Sequence, residues 1–363
     1  MNAASPPAPA HDAGTAVPCA IAVLPRPGED WDGFVRSHPA ASVYALSGWS
    51  RLAQDVFGHR AYFIEARDAA GTLRGVLPLV HQKSLIFGGF LTSVPFFNYG
   101  GAVSASSQVS AQLMEAARAL AIELSCKYLE FRDVEPRAGQ WLVRTDKVSM
   151  ILDLPGDAAL LAKQLGAKLR SQIKRVDRES PAVRCGGVEL LDDFYDVFCR
   201  NMRDLGTPVY PRKFFAAILE RFPDLCQLVI VDRGNRPAAA GFLVFSNGRA
   251  EIPWAGCRQD DKPAGFNMKL YWEVLTAAIA RGCTQFDFGR STMDSGTYRF
   301  KKQWGARPLQ LYWHRWEREP QGQQAARPAA EGRIMQYATA VWQRLPLPVA
   351  NALGPLVSPS LPW

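Results

Sequence analysis

The sequence predicts an α/β protein of two tandem domains, each a mixed sheet flanked by helices, followed by a helical and Pro-rich tail. Two observations carry this reading. One order of elements (strand, strand, strand, helix, strand) occurs twice, and corresponding pieces stay about 155–165 residues apart, one domain length. In both copies the first two strands are joined by turn chemistry, as hairpins are. A repeat this long marks a duplicated domain and not a solenoid. A chain of 363 residues holds two domains of ordinary size.

Met1 to Pro18 is rich in Ala and Pro and has neither a cationic n-region nor an apolar h-region. It reads as a disordered leader (1–20) and not as a signal peptide. The first domain is assigned to 21–155. Tyr62-Phe63-Ile64-Glu65-Ala66 is an apolar strand, Asp68-Ala69-Ala70-Gly71 turns it, and Gly75-Val76-Leu77-Pro78-Leu79-Val80 returns. Asn98-Tyr99-Gly100-Gly101, a helix over 109–124 and the strand Tyr128-Leu129-Glu130-Phe131 complete the copy. The second domain, 156–318, opens on a helix over 158–178. Leu228-Val229-Ile230-Val231, the turn Asp232-Arg233-Gly234-Asn235 and Ala240-Gly241-Phe242-Leu243-Val244-Phe245 repeat the hairpin. Pro253-Trp254-Ala255-Gly256, a helix over 267–280 and Gln285-Phe286-Asp287-Phe288 repeat the rest. The tail, 319–363, has a short helix over 333–344 and then a Pro-, Leu- and Trp-rich end whose prolines forbid a long helix.

Hydrophobic residues at 48% and charged residues at 21% fit a soluble globular chain. A net charge of +8 favours anionic partners. The seven cysteines include no C-x-x-C pair, which removes zinc-ribbon and thioredoxin readings and suggests reduced thiols in the cytoplasm. No H-E-x-x-H occurs and no metal site is readable. No apolar run reaches spanning length.

The richest segment runs Gln285-Phe286-Asp287-Phe288-Gly289-Arg290-Ser291-Thr292 and on through Ser295-Gly296-Thr297-Tyr298-Arg299-Phe300-Lys301-Lys302-Gln303-Trp304-Gly305. An alternating strand ends on a carboxylate and a guanidinium, and a glycine-rich loop crowded with cations and hydroxyls follows. The first copy instead ends Glu130-Phe131-Arg132-Asp133 and lacks this loop. The second copy therefore carries most of the chemistry, and the first shapes a ligand cleft between the two. On the helix over 158–178, Leu161, Leu165, Leu169, Ile173 and Val176 form one apolar stripe. Lys163, Arg170, Lys174 and Arg178 form a ridge opposite, either an anion site or a solvated face.

The segment Phe286-Asp287-Phe288-Gly289-Arg290-Ser291 with Gly296 to Gly305, together with Gly206-Thr207-Pro208 and Asn98-Tyr99-Gly100-Gly101, resembles the Fem family. These are aminoacyltransferases that build peptidoglycan cross-bridges, with Gram-negative relatives linked to exopolysaccharide and exosortase (PEP-CTERM) systems. The resemblance spans residues 40–316. It implies two GNAT-like domains in tandem and transfer of an acyl group to an amine on a cell-envelope glycan, a lipid-linked precursor or a peptide. It makes Lys301, which follows Phe300 as in the family's Phe-Lys pair, the first catalytic candidate. Lys301 or Arg290 would stabilise the tetrahedral oxyanion. Asp287 is the candidate base or else a partner of Arg290, and Tyr298 either protonates the leaving group or packs. Arg170, Lys174, Thr207, Tyr210, Trp254, Ser291, Arg299 and Tyr99 are the substrate-binding candidates.

In the GNAT plan the junction before the helix at 267 grips the pyrophosphate of coenzyme A, which would assign Lys262, Gly265 and Asn267 to a cofactor. The family pattern Arg/Gln-x-x-Gly-x-Gly/Ala is absent there, and Asn267 also reads as a plain N-cap. No permanently bound cofactor is implied. The donor is acyl-CoA, an acyl carrier thioester or aminoacyl-tRNA, with tRNA the one nucleic-acid partner. The coiled-coil arm of many Fem enzymes is missing. The tail, with Trp342, Leu345, Leu347, Leu353, Leu356 and Trp363 beside Arg333 and Arg344, either touches the inner face of the cytoplasmic membrane or packs on the body. Two other readings stand beside transfer: a catalytically silent GNAT-like binding module of an exopolysaccharide or exosortase system, and nucleic-acid binding on charge alone.

Overall fold

The computed structural model describes residues 18–84, 88–319 and 329–361. The leader 1–17 lies outside these residues. In chain order the first half runs β1 (Ala20–Leu24), α1 (Trp31–Arg36), α2 (Ser47–Phe57), β2 (Arg60–Arg67), β3 (Leu73–Ser84), β4 (Gly88–Thr92), β5 (Val103–Ser104), α3 (Ser107–Glu123), β6 (Tyr128–Asp133), β7 (Leu142–Arg144) and β8 (Lys147–Asp153). The second half runs α4 (Ala158–Gln164), α5 (Ala167–Arg175), β9 (Ala182–Gly186), α6 (Leu191–Leu205), α7 (Arg212–Arg221), β10 (Cys226–Arg233), β11 (Arg236–Ser246), β12 (Arg249–Cys257), α8 (Phe266–Ala280), β13 (Gln285–Thr292), α9 (Gly296–Lys302), β14 (Arg307–Gln310) and β15 (Tyr312–Glu317). The tail holds α10 (Ala329–Arg344) and α11 (Leu347–Val357).

The expected duplication is present, and the two copies exchange strands. The first sheet has the order β1-β2-β3-β4-β6-β15-β7, with β5 on β3; the second has β14-β8-β13-β12-β11-β10-β9. In each, three antiparallel steps lead to one parallel pair, β4 with β6 and β12 with β13, on either side of a crossover helix. The fifth strand is then flanked by a strand lent from the other half: β15 on β6, and β8 on β13. The sequence division at 155/156 therefore does not separate the sheets. β8 lies before it and belongs to the second sheet, while β15 lies in the assigned second domain and belongs to the first.

Other boundaries shift for local reasons. Residues 98–101 form no strand; Gly100 makes only an isolated bridge to Arg132, and the third strand of the first copy is β4. The helix over 158–178 breaks at Leu165, whose ψ of 140° is extended, so α4 and α5 are separate. The five leucine, isoleucine and valine positions of its stripe are nevertheless all buried. Residues 296–302 are not loop but α9, capped by Ser295, whose Oγ accepts from Tyr298 N.

One core joins the halves. Trp49 and Leu52 of α2, Phe194 and Phe198 of α6, and Phe214, Phe215 and Ile218 of α7 pack together between the sheets. Trp49 stacks on Phe222 at 4.2 Å across this seam. Two further cores lie outside it, one under α5, α8 and α9 and one under α3.

The tail packs on the body. Arg203 Nη1 donates to Leu345 O (3.1 Å), Asn351 Nδ2 to Cys199 Sγ (3.3 Å) and His59 Nε2 to Pro359 O (2.9 Å). Ala350 and Gly354 are buried against the 206–210 loop and α6. Pro348 sits in the first turn of α11, where no N–H is needed. Gly206, with φ +75°, ends α6, and a Cβ there would stand 2.4 Å from Thr339 Cγ2 and 2.8 Å from Thr339 O. A side chain in this conformation costs about 1–2 kcal/mol, and overpacking adds about 1–3 kcal/mol. Gly206→Ala should lower the melting temperature and admit protease to α10 and α11 first. Unchanged melting and unchanged proteolysis would show that the tail does not bear on this turn.

Candidate functional site

The site grows from the place where β12 and β13 part. Their parallel pairing covers only Arg249–Glu251 and Gln285–Asp287. Glu251 and Asp287, the last paired residues, face the seam and are buried. Two carboxylates side by side in an apolar seam need donors, and the first half supplies them. Tyr44 Oη donates to Glu251 Oε2 (2.7 Å), Asn98 Nδ2 reaches Glu251 Oε1 (3.4 Å), and Tyr99 Oη donates to Asp287 Oδ2. From the lent strand β8, Ser149 Oγ donates to Asp287 Oδ1 (2.6 Å), which also accepts from Gly289 N (2.7 Å). Burial and the Asp287 charge push Glu251 up to about 8. Burial, with the carboxylates adding to it, holds the phenols of Tyr44 and Tyr99 well above their usual range.

The same carboxylate shapes the strand beyond it. Between Asp287 and Arg290 the register against β8 slips by one residue, a bulge with Gly289 at φ +76°. Alternation would send Arg290 to the face of Phe286 and Phe288, which sit in the outer core. The extra residue instead turns it to the face of Asp287. Its guanidinium lies 4.8 Å from the ring of Trp313, on the lent strand β15. The carbonyls of Gly289 and Arg290 are taken by Lys301 Nζ of α9, at 2.8 and 2.9 Å. Lys301 is 7% exposed. Desolvation draws it down to about 8, against the pull of Asp287.

The predicted catalytic residues thus meet, with altered parts. Lys301, Asp287 and the Arg290 backbone share one bulge. Asp287 is not paired with Arg290, and both its oxygens are occupied by Ser149, Gly289 and Tyr99, so it anchors the bulge and is not placed as a free base. Tyr298 is buried in the outer core. Tyr99 is at the site. Ser291 is buried next to it with no partner for its Oγ among the described residues. Arg299 is exposed. Trp254 is core, edge-on to Phe215 and Phe242 at 5.1 and 5.2 Å. Thr207 N caps α6 by donating to Met202 O (2.9 Å). Tyr210 is a buried ring against Phe96 and Phe214 that also lies within electrostatic reach of Arg132 and Arg290.

The basic ridge forms a second region. Arg170, Lys174, Arg175 and Arg178, with Ala167 and Ser171, line an open groove of about 420 Å³. Lys163 is left out because the chain breaks at Leu165. Arg170 turns partly inward, donating to Leu165 O and so closing the end of α4. Arg175 Nη2 donates to Pro263 O, which brings the groove against the loop before α8. There Gly265, with φ +97°, caps the helix and Asn267 lies inside it, so Asn267 is not the N-cap. Lys262 Nζ donates to Gln259 Oε1 (3.0 Å). Asp261, fully buried, ties the loop down through Arg233 and Arg236. A carboxylate pinned at this junction opposes phosphate. Among the described residues no group of three or more His, Cys, Asp or Glu could hold a metal ion.

Sequence reasoning missed Tyr44, Asn98, Ser149, Glu251, Arg132 and Trp313. A signal existed for one of them. Val43-Tyr44 precedes α2 as Val209-Tyr210 precedes α7, at an offset of 166 residues.

Residues 163–302 match the family model described as an acetyltransferase (GNAT) domain. No curated protein matches. Among solved structures, the chain is similar to FemX (14% identity, TM-score 0.60, 80% of this chain and 96% of that one). It is also similar to L-PGS from Bacillus licheniformis (12%, 0.53, 88% and 98%). A third is the tandem GNAT protein from the clavulanic acid biosynthesis pathway (11%, 0.55, 84% and 99%). At these identities the likeness is one of fold, and the fold is the tandem GNAT arrangement.

The buried acid makes a stability prediction. Glu251 ordinarily titrates near 4.5 and in the folded chain near 8. Between those values the folded state holds a proton the unfolded chain has lost, so stability from this group falls as pH rises through that window. Glu251→Gln keeps an acceptor for Tyr44 and needs no proton. Its melting temperature should exceed that of the wild type at about pH 9, with the gap closing towards about pH 5. Parallel melting curves across that range would mean that Glu251 is ionised in the fold.

Proposed function

We propose that this protein is an N-acyltransferase that moves an acyl or aminoacyl group from a thioester or ester onto an amine. The observation that supports this most directly is Lys301. A buried ammonium is fixed to the strand carbonyls where β12 and β13 have parted, inside the region that matches the acetyltransferase domain. The acceptor nitrogen attacks the carbonyl carbon, a C–N bond forms, and the carbonyl oxygen becomes an oxyanion. Two of the three Lys301 N–H groups are occupied, and the third meets that oxyanion. Collapse breaks the C–S or C–O bond. Asp287 has no free oxygen for the amine proton. An ammonium drawn down to about 8 can protonate the leaving sulfur or oxygen and recover a proton from the amine.

The three candidate carriers of the acyl group (coenzyme A, a carrier protein's prosthetic arm and tRNA) share phosphate. The groove of Arg170, Lys174, Arg175 and Arg178 suits phosphate. The loop before α8 suits it less, since it carries Asp260 and Asp261. We therefore assign the carrier's phosphate to the groove. The acceptor amine belongs to a cell-envelope glycan, lipid-linked precursor or peptide.

Lys301→Ala should lower kcat by about 10²–10³, the effect of losing one oxyanion donor, with the far-UV spectrum unchanged. Activity of the wild type should decline as pH rises through about 8, where the ammonium is lost. Transfer can be followed as thiol release or labelled aminoacyl transfer to a panel of amines. Turnover of Lys301→Ala within about twofold of wild type, against that loss, would remove Lys301 from the mechanism.

The tail bears on lipid-linked acceptors. Among the described residues no helix is long and apolar enough to cross a membrane. The outer side of α11 exposes Val349, Leu353, Leu356 and Val357, a helical stripe, with Leu356 at 75%. The Arg333 side chain and Trp363 lie outside the described residues. The stripe would rest shallowly on an anionic lipid surface. The full chain should co-sediment with phosphatidylglycerol vesicles and less with phosphatidylcholine vesicles, and Leu353→Ser with Leu356→Ser should abolish the difference. Equal sedimentation of wild type and variant would leave the stripe without this role.

A further inference from the structure

The strand exchange creates a second polar cluster in the seam, built on the first sheet. Arg132 on β6 and Trp313 on β15 are paired residues. The guanidinium of Arg132 lies 4.6 Å from the Trp313 ring, that of Arg290 4.8 Å and that of Arg144 5.8 Å. Three cations surround one indole. The near carboxylate is Glu130, with Arg132 Nε at 3.2 Å and Arg144 Nη1 at 3.9 Å. Arg144 also reaches Asp146 at the rim, 3.4 Å away. Arg132 Nη1 donates to Phe97 O (2.6 Å). Arg290 has neither an ion-pair partner nor a hydrogen-bond acceptor among the described residues, and the Trp313 indole N–H is buried without an acceptor.

Stability does not explain this arrangement. A cation–π contact is a weak attraction, and drawing the half-buried Arg290 guanidinium out of water with no counter-charge in contact costs more than that contact returns. Burial and the neighbouring Arg132 and Arg144 draw Arg290 down to about 10, so the fold works against the charge. A chain that keeps such a charge gains something from it elsewhere. The geometry points to an oxyanion receptor: Arg290, with Arg132 and Arg144 around Trp313, binds a carboxylate or phosphate group of the acceptor substrate. Its assignment to the acceptor rests on the transferase reading above; the anion site itself does not. The Arg290 carbonyl holds Lys301 while its side chain enters the seam, so one residue would link the anion to the reacting carbonyl. The substrate class is then an amine whose own molecule carries an acidic group within a side chain's reach.

Binding to the full chain tests this without transfer. Inorganic phosphate and N-acetylglycine are titrated by calorimetry at constant ionic strength, in a background of Arg170→Ser with Lys174→Ser that weakens the α5 groove. Arg290→Met, which keeps the backbone carbonyl, should weaken the preferred probe at least about tenfold, and Arg144→Ala should weaken it severalfold. The melting temperature of Arg290→Met in probe-free buffer should equal or exceed that of its parent. Preference for phosphate assigns a phosphorylated acceptor, and preference for N-acetylglycine a carboxylated one. No saturable binding of either probe, affinity of Arg290→Met within about twofold of its parent, or a melting temperature several degrees lower would overturn the proposal. Lys301→Ala should keep the anion affinity while losing transfer. A protein that binds the probe but transfers nothing would defeat the transferase reading and leave the receptor standing.

Discussion

The rest of the site hangs on two carboxylates placed side by side where a parallel pair of strands comes apart. Glu251 and Asp287 cannot both be ionised and undonated in that seam. Tyr44, Asn98 and Tyr99 of the first half and Ser149 of the lent strand satisfy them. Every one of those donors comes from before the α4 helix. The two halves are therefore locked by hydrogen bonding as well as by their shared core, and a second half folded alone would leave Glu251 without these donors and Asp287 with Gly289 N alone. From Asp287 the constraint passes along β13. Its carboxylate fixes Gly289 N, the bulge turns Arg290 into the seam, and the displaced carbonyls seat Lys301.

The duplicated plan has diverged in charge. Tyr44 reaches over the end of the second sheet and meets an acid pair that is closed and fully bonded. Tyr210, its counterpart before α7, lies over the end of the first sheet, near Arg132 and Arg290. The acid cluster has its hydrogen bonds made, as a structural element should. In the basic cluster Arg132 and Arg144 reach Glu130, and among the described residues Arg290 meets no acceptor. The sequence reading placed the chemistry in the second copy and gave the first a shaping role. In the structure the bulge that seats Lys301 lies on the second sheet, while Arg132 of β6, Arg144 of β7 and Arg290 of β13 meet around Trp313 of β15.

What was legible in the sequence was what local periodicity can encode. The two hairpins, α3, α8, β6 and the start of β13 fall within a few residues of their expected positions, because apolar alternation and turn residues act over short range. The exchange of β8 and β15 was not legible. Neither segment was assigned an element from the sequence, and the choice of partner depends on contacts well over a hundred residues away, such as Asp287 with Ser149. Asn98-Tyr99-Gly100-Gly101 was misread as strand for a related reason. Its polar groups are used across the seam, on Glu251 and Asp287, and not in a ladder. Asp287 and Arg290 look like a pair in sequence; the bulge, which no period reveals, brings them to one face, yet Asp287 is taken by Ser149, Gly289 and Tyr99 while Arg290 lies against Trp313.

The tail's attachment carries this logic to the surface. α11 presses Gly354 against the backbone of Val209, and the next residue is Tyr210. Pro359 O is held by His59 and Gln82, both from the first half, so the tail spans the two halves over their junction. Gly206 and Gly354 allow this contact because neither position has room for a side chain. The 206–210 loop is thus clamped between the tail outside and the aromatic core inside, with its tyrosine facing the basic cluster. A surface that engages the exposed stripe of α11 would press on the side of the tail opposite this loop. Gly354 against Val209 outside, and Tyr210 against Phe96 and Phe214 inside, hold this loop in rigid packing, which transmits displacement where a flexible linker would absorb it.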